Sequence, residues 1–185
     1  MLWPTEPLCT GFPPLVGPAP RWLILGSFPS ITSLAAAGYY SHPRNAFWPI
    51  MGALFGFDPS LPYAERAARL VAARVALWDV VGQCRRIGSR DDAIARDSIV
   101  INDINALITS HSTLTRIVTN GTLASRLFRR HHWANLPEAV RARLGHYPAP
   151  STSPAHANRP FAEKLALWRS AFGLPPTADE GRCKI

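Results

Sequence analysis

Trp22-Leu23-Ile24-Leu25, closed by Gly26-Ser27-Phe28-Pro29-Ser30, is the stretch that decides the fold. Four apolar residues in succession, ending on a glycine, read as a strand buried on both faces. Gly26 permits a tight turn there, and Pro29 removes a donor and fixes the chain direction. Ser30 is suited to cap a short helix over Thr32–Ala36. Three further short apolar runs match the first: Arg74–Leu77, Arg116–Thr119 and Gly145–Tyr147. Helical patterns lie between and after them. Tyr63–Ala73 is rich in Ala, Arg and Leu, Asp103–Ser110 follows an Asp cap, and Leu123–Arg130 follows a Gly turn. In the last pattern Pro160 stands at a helix start, and Phe161, Leu165, Trp168 and Phe172 recur at helical spacing. Strands alternating with helices pair in parallel and carry helices on both faces. The expected class is α/β, a three-layer α-β-α sandwich around a central four-stranded parallel sheet. Such sheets bind ligands at the carboxyl ends of their strands.

Outside these elements the chain reads as one domain, residues 1–185. Residues 1–20 carry Pro4, Pro7, Gly11, Pro13, Pro14, Gly17, Pro18 and Pro20, and read as an irregular arm over the core. Residues 175–185 are polar and read as a flexible tail. With 47% hydrophobic and 17% charged residues, the composition is that of a globular protein. Twenty basic against twelve acidic residues leave a net charge of +8, which attracts polyanions, nucleic acid foremost. Lys164 and Lys184 are the only lysines; arginine suits bidentate phosphate contacts, although an Arg-rich codon usage explains that choice equally well. Codon usage does not explain the net charge. Arg85, Arg86, Arg129, Arg130, His131 and His132 read as solvated faces. Cys9, Cys84 and Cys183 have neither the number nor the spacing of a disulfide framework or a zinc site. No apolar run has transmembrane length and nothing marks secretion, so a cytoplasmic, nucleoid-associated place is expected, with no membrane partner.

The loop after the first strand continues as Gly38-Tyr39-Tyr40-Ser41-His42-Pro43-Arg44-Asn45-Ala46-Phe47-Trp48-Pro49. Phe47 and Trp48 open a helix and read as core. Asn45 either caps that helix or faces a ligand, and His42 either bonds within the loop or faces the same ligand. In combination these types suit a base: a tyrosine face stacks, arginine meets phosphate, and a carboxamide reads a base edge. Gly-x-Ser-x-Gly is absent, so Ser27 is not read as a nucleophile.

Gly-Ser-Phe-Pro-Ser at 26–30 with Tyr-Tyr-Ser-His-Pro-Arg-Asn-Ala-Phe-Trp at 39–48 resembles the uracil-DNA glycosylase superfamily. The branch in question is that of the hypoxanthine-DNA (deoxyinosine) glycosylases, sometimes called family six. The His-Pro-x-Asn-x-Phe-Trp portion is shared with mismatch-specific uracil glycosylases. Ser151-Thr152-Ser153-Pro154-Ala155-His156-Ala157 matches the second motif, and Leu77-Trp78-Asp79-Val80 and Asn120-Gly121 match in kind and order between the two. The resemblance spans roughly residues 20–172 and implies the following. The first motif usually carries Asn or Asp to position water; here Phe28 stands there, which a phenyl ring cannot replace. The chemical weight passes to Asn45, with Ser151 in place of the usual His or Asn of the second motif; these two are the expected catalytic residues. Gly26, Ser27, Phe28, Tyr40 and His42 would bind the flipped base, the first three largely through backbone near Ser27–Phe28. Arg44, Ser153, Ala155, His156 and Arg159 would meet DNA. Asp79 either acts electrostatically or caps a turn.

The implied protein is a monofunctional DNA glycosylase for base excision repair. It would flip a deaminated nucleotide out of double-stranded DNA, preferably deoxyinosine, and hydrolyse its N-glycosidic bond. No metal or cofactor is implied, and a monomer is expected. No lysine stands at a motif position, so no lyase step is expected. Three other readings stay open: a uracil or G:T/U mismatch glycosylase with a broad range, a catalytically silent lesion-binding protein, and a hydrolase of free nucleosides.

Overall fold

Every residue of Trp22–Gly26 is buried, as a strand covered on both faces requires. The computed structural model of the chain describes residues 7–86, 88–89 and 94–176. Its strands are β1 (Leu8–Thr10), β2 (Trp22–Gly26), β3 (Val75–Asp79), β4 (Val81–Arg85), β5 (Val100–Ile101), β6 (Arg116–Asn120) and β7 (Gly145–Ala149). Its helices are α1 (Ile31–Ala35), α2 (Phe47–Phe55), α3 (Tyr63–Ala72), α4 (Ile104–Ser110), α5 (Thr122–His131), α6 (Glu138–Arg143) and α7 (Phe161–Phe172). The main sheet runs β3-β2-β6-β7 with every pairing parallel. Alternate residues of β2 feed two cores. Leu23 and Leu25 pack with Ile104, Ile108, Leu127 and Phe128 on one face. Trp22 and Ile24 pack with Phe47, Met51, Leu70, Trp168 and Phe172 on the other. This is the expected three-layer sandwich, with α4 and α5 on one side and α2, α3 and α7 on the other.

The arm is more ordered than its prolines suggest. Leu8–Thr10 pairs antiparallel with β4, and β4 pairs with β5, which makes a second sheet of three strands that sequence reading missed. Extended backbone there finds ladder partners in place of water. Leu15 also bridges to Leu77. Cys9 lies opposite Cys84 in this pairing. Pro4, Cys183 and residues 177–185 of the tail lie outside the described residues.

Two surface expectations fail for tertiary reasons. Arg86 and His132 are buried, at 2% and 5% exposure. The Arg86 guanidinium covers the Phe28 ring at 5.0 Å and donates to the Pro29 carbonyl, while His132 stacks on Phe128. Arg85, Arg129, Arg130 and His131 are exposed as expected. Within α7, Phe161 is 46% exposed and Lys164 is buried in its stead. Among the described residues no helix is long and apolar enough to cross a membrane.

Candidate active site

Register sets the frame of the site. Gly26 lies beside Asp79 at the carboxyl ends of β2 and β3, and Asn120 beside Ala149 at those of β6 and β7. Gly26 has no room for a side chain: a Cβ there would stand 2.2 Å from Asp79 Oδ1 and 2.8 Å from the Tyr40 hydroxyl. Both groups therefore crowd the backbone of the first motif. Asp79 is only 3% exposed. Burial first, and the Asp79 charge second, push the neighbouring Tyr39 hydroxyl far above the usual tyrosine range.

The chain leaving Gly26 is held by backbone. Val80 and Val81 donate to the carbonyls of Gly26 and Ser27 at 2.9 and 3.0 Å. Phe28 turns into the core with Leu23, Leu25, Val80 and Val81, so its ring offers no open stacking face. Ser30 caps α1, accepting from Ser33 N at 3.1 Å. Tyr40 follows with φ +54°, in the left-handed region that non-glycine residues pay strain to occupy. That backbone lays its ring on Phe47, with centroids 3.9 Å apart and planes 18° from parallel. Trp48 Nε1 donates to the Tyr39 carbonyl at 3.0 Å, and the Tyr39 hydroxyl donates to Pro13 in the arm. His42 Nδ1 accepts from Arg44 N, and its carbonyl accepts from Asn45 N. Arg44 is exposed. Asn45 is half-buried, and its Oδ1 accepts Phe47 N at 2.9 Å. An N–H can bond only the oxygen end of the amide, so the Asn45 Nδ2 protons are the donors left over. Asn45 thus closes the start of α2, one of the two roles the sequence left open, and its Nδ2 remains a donor.

The second motif is clamped from three sides. Trp168 Nε1 donates to the Pro150 carbonyl at 3.0 Å. Asn120 makes a two-point contact with Thr152, accepting from its N–H at 3.0 Å and donating to its hydroxyl at 2.9 Å. Ala46 N donates to the Thr152 carbonyl at 3.0 Å, and this bond ties the first motif to the second. Gly121, at φ +91°, lets Ser151 come close; a Cβ there would lie 3.2 Å from that of Ser151. Ser151 Oγ accepts from Ser153 N, and Ser153 Oγ from Ala155 N, both at 3.3 Å. Ala155, His156 and Arg159 are exposed, and Arg159 pairs with Glu163. Lys164 Nζ donates to the His156 carbonyl at 2.8 Å; burial, then the Arg159 charge, lowers its pKa. A cleft of about 640 Å³ opens here, lined by Gly121, Ser151, His156, Arg159 and Lys164.

The expected residues therefore meet along one edge of the sheet. Gly26, Ser27, Tyr40, Asn45 and Ser151 lie on connected segments. His42 and Arg44 rim the first loop, and Ser153, Ala155, His156 and Arg159 form the exposed turn of the second. Sequence reasoning gave no role to Asn120 or Lys164. The sign of Asn120 was the Asn120-Gly121 match at a strand end, which carried no role, and Lys164 was masked by its charge.

Comparison with known proteins agrees with this frame. The family model for the uracil DNA glycosylase superfamily matches residues 13–171. This chain belongs to that superfamily. Among curated members, a hypoxanthine DNA glycosylase of Methanosarcina barkeri is 35% identical over 112 residues, covering 60% of this chain and 70% of the relative. A protein of the same name from Methanosarcina acetivorans is 30% identical over 164 residues, covering 88% and 96%. A solution NMR structure from Methanosarcina acetivorans, described as a candidate uracil DNA glycosylase, superposes with TM-score 0.70 at 30% identity. It covers 89% of this chain and 96% of that one.

Proposed function

We propose that this superfamily member is a monofunctional DNA glycosylase that removes deaminated bases from double-stranded DNA, hypoxanthine first. It acts on nucleoid DNA in the cytoplasm, as a monomer. The target base cannot be reached inside the duplex, so it is flipped out at a cost of a few kcal/mol, least at a mismatch. Tyr40 and the Gly26–Phe28 backbone receive the base, and the exposed turn Ser153–His156, with Arg159 and Arg44, meets the DNA strands.

The observation that carries the reading is the Asn45 carboxamide. Its Oδ1 is held by Phe47 N, so Nδ2 is the group that meets the base. Deamination turns an amino donor into a carbonyl acceptor. A fixed donor therefore favours hypoxanthine over adenine, and favours it more as the base gains negative charge on departure. Ser151 supplies a second, weaker polar contact. With Phe28 buried as hydrocarbon, the first motif lacks the Asn or Asp that usually orients water, so bond breaking leans on leaving-group stabilisation. That requirement suits a purine whose carbonyl can hold charge.

The test is direct. Duplexes carrying hypoxanthine, uracil, xanthine or only normal bases are incubated with the protein, and abasic sites are cleaved with alkali. Hypoxanthine strands are expected to be cut fastest. If none of the lesion duplexes is cut, the glycosylase reading is wrong.

A further inference from the structure

Asp79 is the only acidic side chain that is buried among the described residues. The other described carboxylates, Asp58, Glu65, Asp97, Asp103, Glu138 and Glu163, are exposed. Burying a carboxylate in a protein is costly, and the cost concentrates such groups at functional sites. The position of Asp79 is equally specific. It ends β3 at the carboxyl edge of the sheet, in register with Gly26. Its Oδ1 and the Tyr40 hydroxyl both stand within 3 Å of the point where a Gly26 Cβ would lie. The first motif accepts this crowding by carrying glycine, and Tyr40 reaches the spot through its left-handed backbone. Of the other site side chains, Arg44, His156, Asn45 and Ser151 carry no negative charge, and Arg159 is paired with the exposed Glu163.

The proposed reaction needs a negative group there. The bond between C1′ and the base nitrogen breaks with its electron pair leaving on the base. Positive charge then spreads over C1′ and the ring oxygen of the sugar. Water adds its oxygen to C1′, and its proton is lost to solvent or to the departing base. Asn45 answers the negative half of this separated charge, and no residue of the two end motifs answers the positive half.

We propose that Asp79 supplies the fixed negative charge that stabilises the cationic sugar as the base departs. This rests on the glycosylase reading and extends it to the sugar. The carboxylate acts across a dry interior, where a charge is felt far more strongly than in water.

The test separates charge from structure. Wild-type protein and Asp79→Asn are compared on two duplexes, one with a neutral tetrahydrofuran abasic analogue and one with a cationic pyrrolidine analogue of the sugar. Wild type is expected to bind the pyrrolidine duplex about tenfold or more tighter. Asp79→Asn is expected to lose that preference while binding the tetrahydrofuran duplex within about threefold of wild type. Its single-turnover cleavage of a hypoxanthine duplex should fall by about 100-fold or more. A variant that keeps the preference, or cuts within about threefold of wild type, overturns the assignment. So does a wild type that shows no preference, a result that needs no variant. If Asp79→Asn does not fold, Asp79→Ser is read in the same way. Wild-type failure on every lesion duplex would instead strike the glycosylase reading itself.

Discussion

Asn45 holds two jobs, and substitution can pull them apart. Its Oδ1 closes the first amide of α2, and its Nδ2 is the donor assigned to the base. Asn45→Asp keeps the acceptor and loses the donor. Aspartate serves the start of a helix as well as asparagine does, and its charge favours that end by a further 0.3–1 kcal/mol, roughly. Asn45→Ala loses both groups, and the missing bond to Phe47 N costs about 1 kcal/mol. In a protein of this size that lowers the melting temperature by about 2–4 °C. Loss of a donor aimed at developing charge costs on the order of 100-fold to 1000-fold in rate. The expected pattern is therefore crossed: Asn45→Asp is as stable as wild type yet nearly inactive, and Asn45→Ala is slightly less stable and similarly inactive. Differential scanning fluorimetry and single-turnover cleavage of a hypoxanthine duplex read the two axes. Wild-type rates in Asn45→Asp would refute the argument, as would rate losses that merely follow melting temperature through both variants.

Other residues give shorter tests. Asn120→Ala strips both partners from the buried Thr152 and should cost about 2–3 kcal/mol. Hydrogen exchange should show residues 151–156 opening while the β2 amides stay protected; unchanged exchange in the loop would count against Asn120 as its clamp. Gly26→Ala drives a methyl into Asp79 and should cost about 1–3 kcal/mol, together with most of the activity; an unchanged melting temperature contradicts it. Burial pushes His132 and His146 down to about 4, so the native state favours their neutral forms. The unfolded chain binds the extra protons, and stability complete above about pH 6.5 is lost as pH falls towards 4. Allowing for partial solvent screening, the loss is on the order of 1 kcal/mol for each histidine. Urea midpoints at pH 7.5 and 4.5 should differ for wild type and converge in His132→Gln/His146→Gln. Finally, borohydride added during turnover should trap no covalent protein–DNA adduct; an adduct lost in Lys164→Gln would mark a lyase step.

How far the sequence spoke depended on the range of the interactions. In the main sheet β2 and β3 were legible because they are dense apolar runs closed by a turn, a local signal. Ser30 and Asp103 announced their helices in the same local way, each accepting an amide three residues on. The second sheet was not legible. Val81-Gly82-Gln83-Cys84-Arg85 mixes glycine with polar residues and becomes a strand only because the proline-rich arm and Val100–Ile101 pair with it. Arg86 looked like surface because its burial depends on Phe28 and Pro29, more than fifty positions away. Within the site, Tyr40, Asn45 and Ser151 stood out by motif. The Asn120–Thr152 contact spans 32 positions and leaves no periodic trace. In the first turn of α7 Phe161 is exposed and Lys164 buried, because the lysine head finds the His156 carbonyl. There the lysine stem covers apolar surface.

The grip of α7 on the second motif has a consequence for redesign. Trp168 and Lys164 both seize main-chain carbonyls, those of Pro150 and His156. Every residue type presents such an oxygen, so this hold is blind to what lies between. Only Thr152 is recognised by its side chain, through Asn120. Ser151 and Ser153 brace the turn from within, each hydroxyl accepting an amide two residues on, whereas the exposed Ala155 side chain takes no part in the hold. Variation placed there leaves the frame that presents the loop intact.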